Sequence, residues 1–127
     1  MGLVGSSNQP HVPWSRGPEY PHDAEAIDLP PYLVDTPTTR QALAKYDGEI
    51  TYMDQQVGPV MRALDATGQA ETTIVLFLTE HGSNFPRCKW TCYNTGVRSA
   101  AVVRWPGVVE PAAERAEGEP TLPPRPS

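Results

Sequence analysis

The chain has 127 residues, enough for one small domain, but its 15 prolines and 10 glycines concentrate at the two ends. Its net charge of −5, without a cluster of lysines and arginines, argues against a nucleic-acid-binding protein. No apolar run reaches membrane-spanning length, and the first ten residues lack the basic head and apolar middle of a signal peptide.

The N-terminal region predicts the end of a strand followed by a long irregular loop. Residues 2–6 contain an isolated apolar pair that is typical of the tail of a small strand. Pro10 and Pro13 lie on either side of His11 and restrict the backbone around it, which holds the imidazole at a defined place. Residues 16–32 carry four prolines and no sustained period, so they predict an extended surface loop.

A long amphipathic helix follows this loop. Thr36 is a suitable N-cap, Pro37 fits the first helical position, and Gly68 provides a stop. An apolar stripe recurs every three or four residues over roughly eight turns. It comprises Leu43, Tyr46, Ile50, Met53, Val57, Val60, Met61 and Leu64, and the opposite, polar face carries Arg40, Lys45, Asp47, Glu49 and Gln55. Pro59 removes one helical hydrogen bond and predicts a kink.

Two short strands are predicted after the helix. The apolar, β-rich run of residues 74–78 predicts a buried strand, parallel to its neighbours, and residues 100–105 predict a second strand. A helix between two strands favours a right-handed βαβ crossover. The predicted fold class is therefore α/β, with one long helix packed on a small, mostly parallel sheet.

Chemically active side chains follow the first of these strands. Glu80 and His81 come directly after it, and Lys89 lies in the loop beyond. Open α/β sheets place their chemistry at the carboxyl ends of strands, so this edge is the candidate site. Cys88 and Cys92 are only four residues apart, and we expect both to be free thiols.

Four segments carry a resemblance to a known family, in the expected order and spacing: residues 7–14, 29–58, 73–98 and 102–109. Together they resemble the sulfatase family of the alkaline-phosphatase-like superfamily, and specifically its bacterial branch similar to heparan N-sulfatase. The resemblance implies a partial alkaline-phosphatase-like core over residues 1–111. The aperiodic residues 112–127, rich in Ala, Glu, Pro and Arg, predict a disordered tail.

The resemblance also implies an activity and a set of site residues. Sulfatases hydrolyse sulfate esters or sulfamates, such as sulfated carbohydrates, with a formylglycine and a divalent cation, usually Ca²⁺. By position, the family's late metal-ligand pair falls on Glu80 and His81, its sulfate-contacting lysine on Lys89, and its loop histidine on His11. A carboxylate suits Ca²⁺, whereas the imidazole of His81 shifts the preference toward Mn²⁺ or Zn²⁺. A histidine such as His11 can donate a proton to a leaving alkoxide.

The sequence departs from the family pattern at three points. It contains no C/S-x-P/A-x-R motif, from which formylglycine is made, and no early Asp-Asp ligand pair. Glu80 stands where the family has Asp, and its extra methylene moves the carboxylate by about 1.5 Å. We therefore expect the N-terminal half of the domain to be missing and the chain to be inactive by itself.

Two other functional readings stay open at this point. One is a phosphodiesterase or phosphonate hydrolase of the same superfamily, whose nucleophile would lie outside this chain. The other is a non-catalytic remnant or interaction module. No membrane or nucleic-acid partner is expected in any of the three cases.

Overall fold

The computed structural model describes residues 2–110, in which two helices and a pair of strands are separated by long loops. Helix α1 runs Pro37–Ala66, strand β1 Val75–Leu78, helix α2 Asn94–Val97 and strand β2 Ala101–Arg104. Single turns of 3-10 helix lie at Gly17–Glu19 and Ala70–Thr72. The α/β composition is confirmed, while the predicted tail at 112–127 lies outside the described residues.

Helix α1 forms as its sequence predicts. The hydroxyl of Thr36 accepts a hydrogen bond from the backbone N–H of Thr39 at 3.1 Å, and Pro37 occupies the first turn. Gly68, two residues beyond the last helical residue, has a left-handed φ of +69°. The helix continues through Pro59. No helix in the described part of the chain is both long and apolar enough to cross a lipid bilayer.

The sheet is antiparallel, so the expectation of a mostly parallel sheet is wrong for the described residues. β1 pairs with β2, with Val75 opposite Arg104 and Leu78 opposite Ala101. The pairing extends one residue further, because the N–H of Thr79 donates to the carbonyl of Ala100 at 2.9 Å. An antiparallel pair does not need the crossover helix that a parallel pair requires, and a loop of about twenty residues joins these strands.

The strand β1 is half-covered rather than buried, which corrects a second expectation. Leu76 and Leu78 are 59% and 66% exposed, and their side chains share one face of the strand. The backbone of α1 approaches the two 3-10 helices and not β1 or β2, so the helix does not pack closely on this sheet. A two-stranded sheet leaves both edges and one face uncovered, which explains the exposure.

The predicted strand tail at residues 2–6 is absent from the structure. This segment has no strand geometry, and Leu3 and Val4 are 83% and 95% exposed. The βαβ crossover is therefore not formed within the described residues, because it needs a strand before α1.

The core lies where α1 meets the flanking loops. Leu43 of α1 packs with Phe85 and Cys88 of the loop after β1. Partly buried side chains of the N-terminal loops and of α1 surround them: Trp14, Ile27, Leu29, Tyr32, Leu33, Ala42 and Tyr46. The first half of the helix thus organises the fold, and the loop that carries Lys89 is part of the same core.

Glu49 was predicted on the polar face of α1, and this was wrong. Its side chain is 1% exposed, and its carboxylate accepts hydrogen bonds from the backbone N–H groups of Arg16 and Gly17 at 2.5 and 3.0 Å. A Cβ on Gly48 would lie 2.5 Å from the carbonyl oxygen of Gly17, so two glycines allow the loop to lie directly against the helix. The buried carboxylate supplies the acceptor that those two N–H groups need.

Candidate functional site

The loop that follows β1 returns Lys89 to the strand end where Glu80 and His81 lie. The backbone N–H of Lys89 donates to the carbonyl of Ser83 at 2.9 Å, which closes the loop. Cys88, the neighbour of Lys89, is 2% exposed and lies in the core. Because the preceding residue is anchored, the position of Lys89 is set by the fold and not by a free surface loop.

The backbone on both sides of Lys89 is held in an uncommon conformation. Arg87 and Trp90 have left-handed φ values of 63° and 68°, which cost non-glycine residues about 1–2 kcal/mol each. The carbonyl of Arg87 accepts hydrogen bonds from the hydroxyls of Thr91 and Thr95 at 3.1 and 2.6 Å, which hold this turn in place. Such outliers concentrate at functional sites, and no sequence pattern predicts these two.

A salt bridge joins the two sides of the site. The ammonium Nζ of Lys89 lies 3.1 Å from Oε2 and 3.2 Å from Oε1 of Glu80, and Nε2 of His81 lies 3.4 Å from Oε1. The side chain of Lys89 is 11% exposed, whereas that of Glu80 is 66% exposed. The hydrogen bond from Lys89 lowers the pKa of Glu80 most, and the charges of Lys89, His81 and His11 lower it further.

His11 reaches the same cleft from the N-terminal loop. Its Nδ1 lies 2.7 Å from the carbonyl oxygen of Val12. Since a carbonyl oxygen can only accept, Nδ1 carries the proton, and Nε2 is the nitrogen left to take or give one. The loop is fixed by Trp14, whose ring stacks on Phe85 with centroids 5.1 Å apart and whose Nε1 donates to the carbonyl of Pro10.

The structure thus gathers all four residues that the sequence singled out. His11, Glu80, His81 and Lys89 line one cleft between the N-terminal loop, α1 and β1. Asn84 and Arg98 line it as well. Three cationic or protonatable groups around one carboxylate can bind an anion, and the amide of Asn84 adds a neutral hydrogen-bond donor.

The described residues do not by themselves fit a divalent cation. Glu80 and His81 supply one carboxylate and one imidazole, and both oxygens of that carboxylate already face Lys89. Calcium takes six to eight oxygen ligands. Within residues 2–110, no three His, Cys, Asp or Glu side chains are arranged to hold a metal ion.

Two glycines allow the loop between β1 and α2 to lie close to α2. A Cβ on Gly82 would collide with the carbonyl oxygen of Thr95, and a Cβ on Gly96 would lie 2.6 Å from the carbonyl oxygen of Thr91. The two cysteines are free, as expected: Cys88 is buried and Cys92 exposed. The sequence reasoning missed Gly82, which lies next to His81, and it also missed Glu49.

Comparison with known proteins places this arrangement in a family. A family model for sulfatases matches residues 3–121, so the chain belongs to the sulfatase family. This family implies an alkaline-phosphatase-like α/β fold, of which residues 2–110 form a small part. The resemblance seen in the sequence is confirmed.

Individual relatives support the same assignment. The chain is 33% identical over 93 residues to an ulvan-active sulfatase of Formosa agariphila, an alignment that covers 73% of this chain and 16% of the relative. It is 32% identical over 110 residues to human N-sulphoglucosamine sulphohydrolase, covering 84% of this chain and 19% of the relative. It is 27% identical over 77 residues to an arylsulfatase of Clostridium perfringens, and this alignment covers 61% of this chain and 16% of the relative. No solved structure matches significantly.

The chain therefore spans less than a fifth of the length of these relatives. Their activity belongs to proteins several times longer than the region that is aligned.

Proposed function

We propose that this chain carries the anion-binding side of a sulfatase active site and that it hydrolyses no sulfate ester by itself. The observation that carries the proposal is the convergence of His11, Glu80, His81 and Lys89 in one cleft of a sulfatase-family chain. The absent C/S-x-P/A-x-R motif supports the lack of turnover, because no residue of the chain can provide the formylglycine.

Lys89 and His11 act on the sulfate group in this proposal. The ammonium of Lys89 has three N–H donors, of which two point to Glu80, so one is left for a sulfate oxygen. A charge-assisted contact of this kind is about twice as strong as a neutral one. His11, with Nδ1 committed to the carbonyl of Val12, donates a proton from Nε2 to a leaving oxygen when the ring is charged.

Glu80 and His81 are proposed as two ligands of a divalent cation whose other ligands lie outside the described residues. Ca²⁺ is the family's usual ion, and the imidazole of His81 favours Mn²⁺ or Zn²⁺. Such an ion would neutralise charge on the sulfate. No step of the reaction is assigned to these two residues alone, since they do not complete a site.

The proposed substrates of the complete site are sulfated carbohydrates or other sulfate esters. One relative is named an ulvan-active sulfatase, and another bears a name that refers to a sulfated sugar, N-sulphoglucosamine sulphohydrolase. The four cleft residues would contact only the sulfate group, so the sugar would be selected by other parts of the protein.

Sulfate binding by the purified chain tests the proposal. Sodium sulfate is titrated at constant ionic strength and constant pH, and the ring proton signals of the histidines are followed by NMR. We expect the signals of His11 and His81 to move with one common midpoint. His22, whose Nε2 contacts the hydroxyl of Thr51 outside the cleft, serves as an internal control.

Matched variants separate a specific contact from general charge attraction. Lys89→Met should weaken sulfate binding by at least about tenfold, which corresponds to 1.4 kcal/mol. Lys45→Met removes the other lysine, which is exposed on α1, and should leave the midpoint unchanged. Equal effects of both variants, or no movement of His11, would contradict the proposed site.

Turnover is measured separately with 4-nitrophenyl sulfate. We expect no cleavage above the buffer rate with or without Ca²⁺ or Mn²⁺. Cleavage that persists in the wild type and disappears in Lys89→Met would overturn the proposed inactivity. The variant excludes a contaminating host sulfatase, which would be present in both preparations.

A further inference from the structure

The salt bridge between Lys89 and Glu80 has a consequence for cation binding. Both carboxylate oxygens of Glu80 lie within 3.2 Å of the ammonium of Lys89. A divalent cation that binds Glu80 must approach the same oxygens. It would then lie close to the ammonium of Lys89, and the two positive charges would repel each other. The two cations therefore compete for one carboxylate.

The structure holds Lys89 firmly in this position. Its side chain is 11% exposed, and the chain on either side is fixed by the buried Cys88 and by the left-handed turns at Arg87 and Trp90. Little conformational freedom is left for the ammonium to lose when it pairs with Glu80. The lysine is thus a preorganised counter-ion and not a flexible surface charge.

The length of the Glu80 side chain makes the pair feasible. An Asp at this position would withdraw the carboxylate by about one C–C bond, 1.5 Å. The two contacts, which are 3.1 and 3.2 Å long with Glu80, would then lengthen beyond the distance at which an ion pair forms. Glu80, where the sequence departs from the family, is the residue whose carboxylate contacts Lys89.

We propose that Lys89 is a tethered counter-ion that occupies Glu80 in place of a divalent cation, so that a cation binds here only by displacing Lys89. This inference rests on the proposed function, since it concerns the same cleft.

Titration with Mn²⁺ alone, followed by NMR, tests the competition. Bound Mn²⁺ broadens signals close to it, so the signals of the His81 ring and of residues 79–82 report occupancy, and His22 reports nonspecific binding. In Lys89→Met we expect broadening at a Mn²⁺ concentration at least about tenfold lower than in the wild type. Lys45→Met, which changes the net charge equally, should respond like the wild type.

Two further variants address the carboxylate. Glu80→Asp keeps a carboxylate ligand but breaks the salt bridge with Lys89. Its signals should therefore also broaden at a lower Mn²⁺ concentration than those of the wild type. The double variant Glu80→Gln with Lys89→Met removes the carboxylate and should show no specific broadening. Dispersed amide signals in each variant confirm that it has folded, and Glu80→Asp gives an answer even if Lys89→Met does not fold.

Two results of the Mn²⁺ titration would contradict the competition between Lys89 and the cation. If the wild type and both pair-opening variants respond at the same Mn²⁺ concentration, or if none responds, Lys89 does not exclude the cation and the inference is wrong. The sulfate titration at His11 uses a different probe and a different ion. A failure of the proposed sulfate site is therefore distinguishable from a failure of this competition.

Discussion

The carboxylate of Glu49 accepts a hydrogen bond from the backbone N–H of Gly17 at 3.0 Å, although Glu49 is 1% exposed and lies on a helix. It also accepts from the N–H of Arg16. These contacts join α1 to the N-terminal loop five and six residues after His11. One buried carboxylate thus fixes the base of the loop that carries a site residue.

Replacement of Glu49 is expected to release this loop. Glu49→Ala leaves two backbone N–H groups without an acceptor and should lower the free energy of unfolding by about 1–3 kcal/mol. Glu49→Gln keeps the acceptor oxygen and should cost less. Urea unfolding followed by tryptophan fluorescence measures both. Glu25→Ala, at an exposed position, should stay within about 0.5 kcal/mol, and an equal loss there would refute the role of Glu49.

Gly82 is expected to tolerate no side chain. In Gly82→Ala the new Cβ would meet the backbone carbonyl of Thr95, which cannot move aside as a flexible side chain could. We expect a destabilisation of about 1–3 kcal/mol and a loss of the sulfate response at His81. The matched control is Gly2→Ala, whose Cβ meets nothing within 4 Å. An unchanged sulfate midpoint in Gly82→Ala would show that the loop geometry is not needed.

The salt bridge between Glu80 and Lys89 predicts a pH dependence. The pKa of Glu80 is lowered, chiefly by the hydrogen bond from Lys89, so the folded state binds this proton less well than the unfolded state. The pair therefore stabilises the fold above the unfolded pKa of about 4.3 and loses this effect as pH falls through the lowered value. The carboxyl ¹³C shift of Glu80 measures the pKa, which should rise in Lys89→Met and in high salt.

If the midpoint of the Glu80 titration is the same in the wild type and in Lys89→Met, the ammonium does not interact with the carboxylate in solution. Lys45→Met again controls for the change in net charge.

The N-cap of α1 gives a prediction that is independent of the site. Thr36→Ala removes the hydroxyl that accepts from the N–H of Thr39 and should lower the free energy of unfolding by about 1 kcal/mol. Thr38→Ala makes the same chemical change at an exposed position in the first turn. If urea unfolding shows equal losses for the two variants, the hydroxyl of Thr36 does not act as a cap.

Local patterns predicted the elements well. Thr36, Pro37 and Gly68 fixed the limits of α1 because caps and stops act within a few residues. Strand β2 was also found where the apolar run placed it. The family resemblance, carried by ordered segments, predicted that His11, Glu80, His81 and Lys89 would share a site, and the structure places them in one cleft.

Long-range relationships were harder to predict. Strand direction was wrong because an apolar run does not encode whether its partner is parallel, and β1 pairs with a later strand across a long loop. Glu49 was misplaced because its helical position matches the polar face, while the N–H groups that bury it come from a loop more than thirty residues away. No local sequence pattern indicates the left-handed φ values of Arg87 and Trp90 or the salt bridge between Lys89 and Glu80.

The most direct test of the site is a crystal structure of the chain grown or soaked with sulfate. The account predicts a sulfate within hydrogen-bonding distance of Nζ of Lys89 and near Nε2 of His11. The same crystals of Lys89→Met should lack it. Sulfate bound only elsewhere on the chain, or His11 and Lys89 in separate clefts, would contradict the central claim.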